Sequence, residues 1–228
     1  MKLKKQTIVA LTSFLFILTG CQTGNTEDSE TSNTNENTQT SETRQRQTGR
    51  GAESDGQDTN ADADPTRILT EDADAIVIYF SRGGNTEDLA NMIQQESNAD
   101  ILELTVADPY PADYEETVER ANQERETENY PELSVEIPDL NQYQTIYLGS
   151  PTWGMSLSSP VTTFLQENGG ALSGKTIAFF NTNAGYGVGS SEDQLAQLVP
   201  DANLRASLSM EDVEVPDSQS AVEAWVNQ

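Results

Sequence analysis

Histidine is absent from the 228 residues, and the one cysteine is Cys21. Without histidine there is no serine or cysteine relay built on imidazole, no histidine-based metal centre, and no side chain that ordinarily titrates near neutral pH. A lone cysteine excludes an internal disulfide and a thiolate zinc site. Basic residues are scarce as well: 12 Lys plus Arg stand against 38 Asp plus Glu, a formal net charge of −26. From Asp74 onward the imbalance sharpens, with Arg82, Arg120, Arg125, Lys175 and Arg205 facing 26 acidic residues. Such a surface repels nucleic acid and anionic lipid and favours partners with a basic patch, although a need for solubility accounts for the same composition. If this chain does chemistry, a bound cofactor is the source that these absences leave open.

What is present begins with Lys2, Lys4 and Lys5 ahead of an apolar run from Ile8 to Leu18. That run falls short of the roughly 20 apolar residues needed to span a bilayer and reads as a secretory signal over residues 1–20. Leu18-Thr19-Gly20-Cys21 resembles the lipobox of bacterial lipoproteins. The resemblance implies that Cys21 becomes the lipidated first residue of the mature protein, carrying palmitate and anchoring it at the cell membrane, facing away from the cytoplasm. Residues 22–66 contain no Val, Ile, Leu, Met or aromatic side chain. They cannot bury enough apolar surface to offset the entropy of ordering, so residues 21–73 read as a disordered polar tether, reaching on the order of 40 Å.

Residues 74–228 are one domain's worth of chain. Apolar runs at 75–80, 100–106, 144–149, 175–181 and 204–210 read as strands, with helices between them and a last helix from about Ser218 through Trp225. Ala112 to Glu128, rich in acids and poor in apolar positions, reads as an exposed helix with a solvated face. This alternation predicts an α/β fold, a doubly wound parallel sheet with helices on both faces.

The loops leaving the strands carry the functional signal. Ser81-Arg82-Gly83-Gly84-Asn85-Thr86 follows the first strand and leads into a helix. Glycines allow a tight turn, and N–H groups converging at a helix N-terminus favour an anion, to which the Ser81 and Thr86 hydroxyls add donors. Glycine-rich turns also occur with no ligand. Ser150-Pro151-Thr152-Trp153-Gly154-Met155 follows the third strand, and Asn181-Thr182-Asn183-Ala184-Gly185-Tyr186-Gly187 the fourth. Together they offer a phosphate cradle, an indole and a phenol at one sheet edge, a set suited to a flat phosphorylated ring.

The spacing of Ser81, Gly84, Asn85 and Thr86 resembles the FMN phosphate loop of flavodoxins, with Gly83 standing where that family usually has a hydroxyl. Thr152-Trp153-Gly154 is similar to the flavodoxin loop in which a tryptophan stacks on the isoalloxazine and the next glycine carbonyl faces N5. The resemblance covers residues 75–228 and implies a short-chain flavodoxin-like, five-stranded, three-layer sandwich. It also implies a cofactor-binding set. Ser81, Gly83, Gly84, Asn85 and Thr86 hold the phosphate, with Arg82 at the rim. Pro151, Thr152, Trp153 and Gly154 lie along the ring, and Asn183, Gly185 and Tyr186 at its pyrimidine edge or other face. A glycine peptide flips at little cost to accept from N5–H, favouring the one-electron-reduced ring, while surrounding carboxylates would disfavour the anionic fully reduced one. The implied function is that of an FMN-binding electron carrier or flavin-dependent reductase whose redox partner carries a basic patch. A cofactor-free surface binding module of the same fold is the alternative.

Overall fold

The computed structural model describes residues 64–228. The expectations for the signal peptide, for Cys21 and for most of the tether lie outside the described residues. The sheet is built from β1 (Arg67–Ile68), β2 (Ala75–Tyr79), β3 (Asp100–Glu103), β4 (Thr145–Pro151), β5 (Thr176–Asn183), β6 (Asn203–Leu204) and β7 (Leu208–Glu211). The helices are α1 (Asn85–Ser97), α2 (Tyr114–Thr127), α3 (Ser159–Asn168), α4 (Ser191–Leu198) and α5 (Gln219–Val226). The strand order is β1-β3-β2-β4-β5-β6, with β7 also on β5; every pairing is parallel except that of β1 with β3.

Successive residues of a strand point to opposite faces, so each apolar run feeds two cores. Ile76, Ile78, Ile146, Leu148, Ile177 and Phe179 pack on one side against Val161, Phe164 and Leu165 of α3 and Leu195 of α4. Val77, Tyr79, Tyr147, Ala178 and Phe180 pack on the other against Leu89, Ala90 and Ile93 of α1 and Val222 and Trp225 of α5. This is the doubly wound, three-layer sandwich that the alternation predicts. The strand order reverses around β2, between β3 and β4, and a crevice forms beyond the carboxyl ends of strands at such a point.

Three departures from the sequence reading have physical causes. Arg67–Ile68 forms an edge strand inside the stretch assigned to the tether, so the fold begins before Asp74. What holds it is polar: Glu103 accepts the Thr66 N–H at 3.0 Å, and Asp100 accepts the Thr70 N–H at 3.0 Å and its hydroxyl at 2.8 Å. The second strand stops at Glu103 because the chain beyond it pairs elsewhere, with Ala107 N–H on the Glu132 carbonyl and Ser134 N–H on that of Thr105. The fifth strand is divided into β6 and β7, and in the gap the Ala206 carbonyl accepts the Trp225 indole N–H at 2.8 Å instead of a ladder bond.

Candidate functional site

The turn after β2 is organised by its own side chains. The fully buried Ser81 hydroxyl accepts the Gly84 N–H at 3.1 Å, and Gly84 caps α1 at φ 93°, a left-handed conformation that strains any side chain. Gly83 has no such need: its φ is not left-handed, and a Cβ built there meets nothing within 4 Å. The glycine at this place is therefore not enforced by space. Thr86 is buried in the first turn of α1, its Oγ1 2.7 Å from Thr182 Oγ1 on β5. The first-turn N–H groups of α1 lack intrahelical acceptors by helix geometry and carry the positive end of its dipole. The Asn85 side-chain oxygen is buried without a hydrogen-bond partner among the described residues, and a half-turn of the amide puts N–H₂ in its place.

Arg82 does not sit at the rim as expected. It is 9% exposed, and its Nη2 donates to the carbonyls of Pro111 at 3.2 Å and Ala112 at 2.7 Å, fastening the turn to the approach of α2.

The loop after β4 reverses at Trp153–Ser156, whose N–H and C=O groups exchange bonds of 3.0 and 3.1 Å. Gly154 and Met155 between them both have positive φ, 55° and 65°, which makes this a turn of the I′ type. Trp153 has one edge in the core and one in the cleft. Its ring meets Phe80 at 5.3 Å and Tyr110 at 4.9 Å, both nearly perpendicular, a preferred aromatic arrangement. Tyr110 is fixed in turn, donating to Glu124 Oε2 at 2.7 Å beneath the Arg120 guanidinium. Burial first, then the bond to Glu124, raises the Tyr110 pKa, so its hydroxyl remains a donor. Core capping and cleft lining are thus both true of Trp153.

Asn183, expected in the loop, is the last residue of β5 and organises the turn that follows. Its Oδ1 accepts the N–H groups of Gly185 at 3.0 Å and Gly187 at 2.9 Å, and its Nδ2 donates to the Met210 carbonyl at 3.0 Å. Gly189, outside the expected set, takes φ 57° and lies so close to the Met155 backbone that a side chain could not fit. Ser190 next to it donates its N–H and hydroxyl to the Met155 carbonyl at 2.8 and 2.9 Å. The third loop therefore braces the second.

These pieces enclose a cleft of about 360 Å³ lined by Ser81, Arg82, Gly83, Asn85, Thr86, Pro151, Thr152, Trp153, Gly154 and Asn183. That volume is in the range of small-molecule sites. Gly84 turns the backbone behind it, while Gly185 and the half-exposed Tyr186 stand outside the lining. The sequence reading missed Thr182, Ala184, Asp212 and a whole face of α2: Tyr114, Thr117, Val118, Ala121, Asn122 and Arg125. Their spacing of three and four residues is a helical face, discernible in the sequence but masked by the acids around it. The surrounding carboxylates expected at the ring are not there either. The charged lining residues are Arg82, Arg125 and one acid, Asp212.

The donor set at one end suits a phosphate, and the buttressed indole with Val118 and Ala121 suits a flat apolar ring, so the residues present fit FMN. Among the described residues no three or more His, Cys, Asp or Glu side chains come together to hold a metal, and no helix is long and apolar enough to cross a membrane.

A family model described as flavodoxin matches residues 74–228. No curated protein matches the chain. The fold is similar to that of a Bacteroides uniformis ATCC 8492 protein described as a flavoprotein, with TM-score 0.59 and 23% identity over 68% of this chain and 99% of that one. It is also similar to a flavoprotein of Lactobacillus acidophilus NCFM solved in complex with FMN, with TM-score 0.54 and 23% identity over 65% of this chain and 99% of that one.

Proposed function

Because this chain belongs to the flavodoxin family, we propose that its cleft binds FMN and that the protein transfers electrons while tethered through Cys21 to the outer side of the cytoplasmic membrane. The observation that carries this reading is the junction, in one cleft, of the α1 N-terminal turn with the buttressed face of Trp153. When bound, FMN supplies the electron uptake and release that no side chain of this histidine-free domain offers.

The protein's own residues bind and orient. The first-turn N–H groups of α1, the Thr86 hydroxyl and the Arg82 charge hold the phosphate. Ser81 and Gly84 keep that turn in shape before any ligand arrives, so little ordering entropy is lost on binding. Trp153, fixed between Phe80 and Tyr110, gives the ring a rigid stacking surface. Gly154 provides a peptide whose carbonyl is free of a side-chain barrier to reorientation, and Val118 and Ala121 limit water on the α2 side.

The acidic exterior supports a partner with a basic patch, and the Leu18–Cys21 pattern supports lipid anchoring. Titrating the apo-protein with FMN, followed by visible absorption and flavin fluorescence, tests the reading. Saturable binding with quenching is expected, and Trp153→Ala is expected to weaken FMN and riboflavin alike and to relieve the quenching. A colourless protein that takes up no FMN would leave the cofactor-free binding module.

A further inference from the structure

Arg125 is a cation of the cleft lining that makes no ion pair among the described residues. Its guanidinium lies flat against Gly154: a Cβ built on that glycine would stand 2.5 Å from Nη2 and 2.6 Å from both Cζ and Nη1. Its one hydrogen bond among the described residues runs from Nη2 to Asn122 Oδ1 at 2.5 Å, also on α2, which uses one of five N–H donors. Among the described residues no carboxylate lies within ion-pair distance of it, whereas Arg120, one turn away, bonds Glu124 at 2.8 Å and Asp108 at 3.3 Å. In a domain with 26 acidic and five basic residues, an arginine that makes no ion pair among the described residues and is turned onto the glycine beside Trp153 is poised for a charge brought by a ligand.

The phosphate end already has Arg82 and the α1 terminus. Arg125 is at the other end, with Trp153 and Gly154. We propose that Arg125 favours the reduced anion of the bound ring over its neutral oxidised form; this rests on the FMN reading above. The oxidised ring is uncharged, and uptake of two electrons and one proton leaves it with a charge of −1. A half-buried cation on the wall of the cleft interacts with that anion and hardly at all with the neutral ring, which corresponds to a ratio of reduced to oxidised affinity on the order of tenfold larger than without it. This chain therefore departs from a purely acidic flavin environment at the place where the ring becomes charged.

The test uses the full FMN-loaded protein, reduced stepwise with dithionite against a reference dye, with Arg125→Gln, Arg125→Lys and the unaltered chain compared. Arg125→Gln is expected to lower the ratio of reduced to oxidised affinity about tenfold, equivalent to about 30 mV in a two-electron midpoint. Arg125→Lys, which keeps the charge, should stay within about twofold. Riboflavin should show the same drop, because the charge faces the ring. An unchanged midpoint in Arg125→Gln with FMN still bound overturns this inference alone. So does a drop seen with FMN and not riboflavin, or an equal loss of both redox states, since these assign Arg125 to the phosphate or to packing. Failure of the unaltered chain to bind FMN overturns the FMN reading itself and this inference with it.

Discussion

The hydroxyls of Thr86 and Thr182 are 2.7 Å apart and buried, joining the first turn of α1 to the end of β5. Each hydroxyl has one proton, so if Thr182 donates to Thr86, the Thr86 proton is directed elsewhere, toward the cleft that both residues line. Thr86→Ala should weaken FMN by about 1.5–3 kcal/mol, the range for a hydrogen bond to a charged group, and leave riboflavin unaffected. Thr182→Val, which removes only the orienting partner, should weaken FMN by about 1 kcal/mol and again spare riboflavin. Fluorescence titration with both ligands decides this, and equal effects on the two would detach Thr86 from the phosphate.

Gly83 allows a gain of function. The space beside it is open and its backbone needs no glycine, so Gly83→Thr should fold normally. The added hydroxyl stands where flavodoxins usually have one and should tighten FMN by about 1 kcal/mol with no change for riboflavin. Loss of affinity in this variant would show that the loop holds the phosphate in another way.

Chain length near the start of the fold makes a sharp contrast. A chain beginning at Asp64 keeps the bonds from Thr66 and Thr70 to the buried carboxylates of Glu103 and Asp100. One beginning at Asp74 strands both acids with fewer donors, and its unfolding free energy should fall by roughly 3 kcal/mol or more. Urea midpoints at equal m values measure the difference, and indistinguishable midpoints would mean that β1 is an ornament on the sheet.

The anchoring proposal is tested by fractionation. Cys21→Ser should move the protein from the membrane to the soluble fraction and leave the precursor uncleaved. Normal processing and retention of that variant would refute lipidation at Cys21.

Much of the fold was legible because the strands β2, β4 and β5 are unbroken apolar runs, and such runs report burial on both faces. β1 was not, since it is held by side-chain carboxylates on another strand, and nothing about Thr66 or Thr70 announces a partner at Glu103 or Asp100. In the same way, the first two loops of the site could be read from their glycines and from Trp153. Arg125 and Thr182 could not, because their role arises from what tertiary packing sets beside them: Gly154 in one case and Thr86 in the other. Asn183 carries the opposite lesson. The sequence reading put it in the loop, yet it is the last residue of β5, and its amide bonds the backbone of the turn that follows.

The margins of the sheet bear on how copies of this protein meet. One margin is the two-residue β1, and the other is interrupted between β6 and β7 where Trp225 takes the Ala206 carbonyl. A foreign strand adds to a sheet through a continuous row of unpaired N–H and C=O groups, and six or seven residues in register suffice to seed a fibril. Among the described residues neither margin provides such a row, so this sheet offers no template for edge-to-edge zipping.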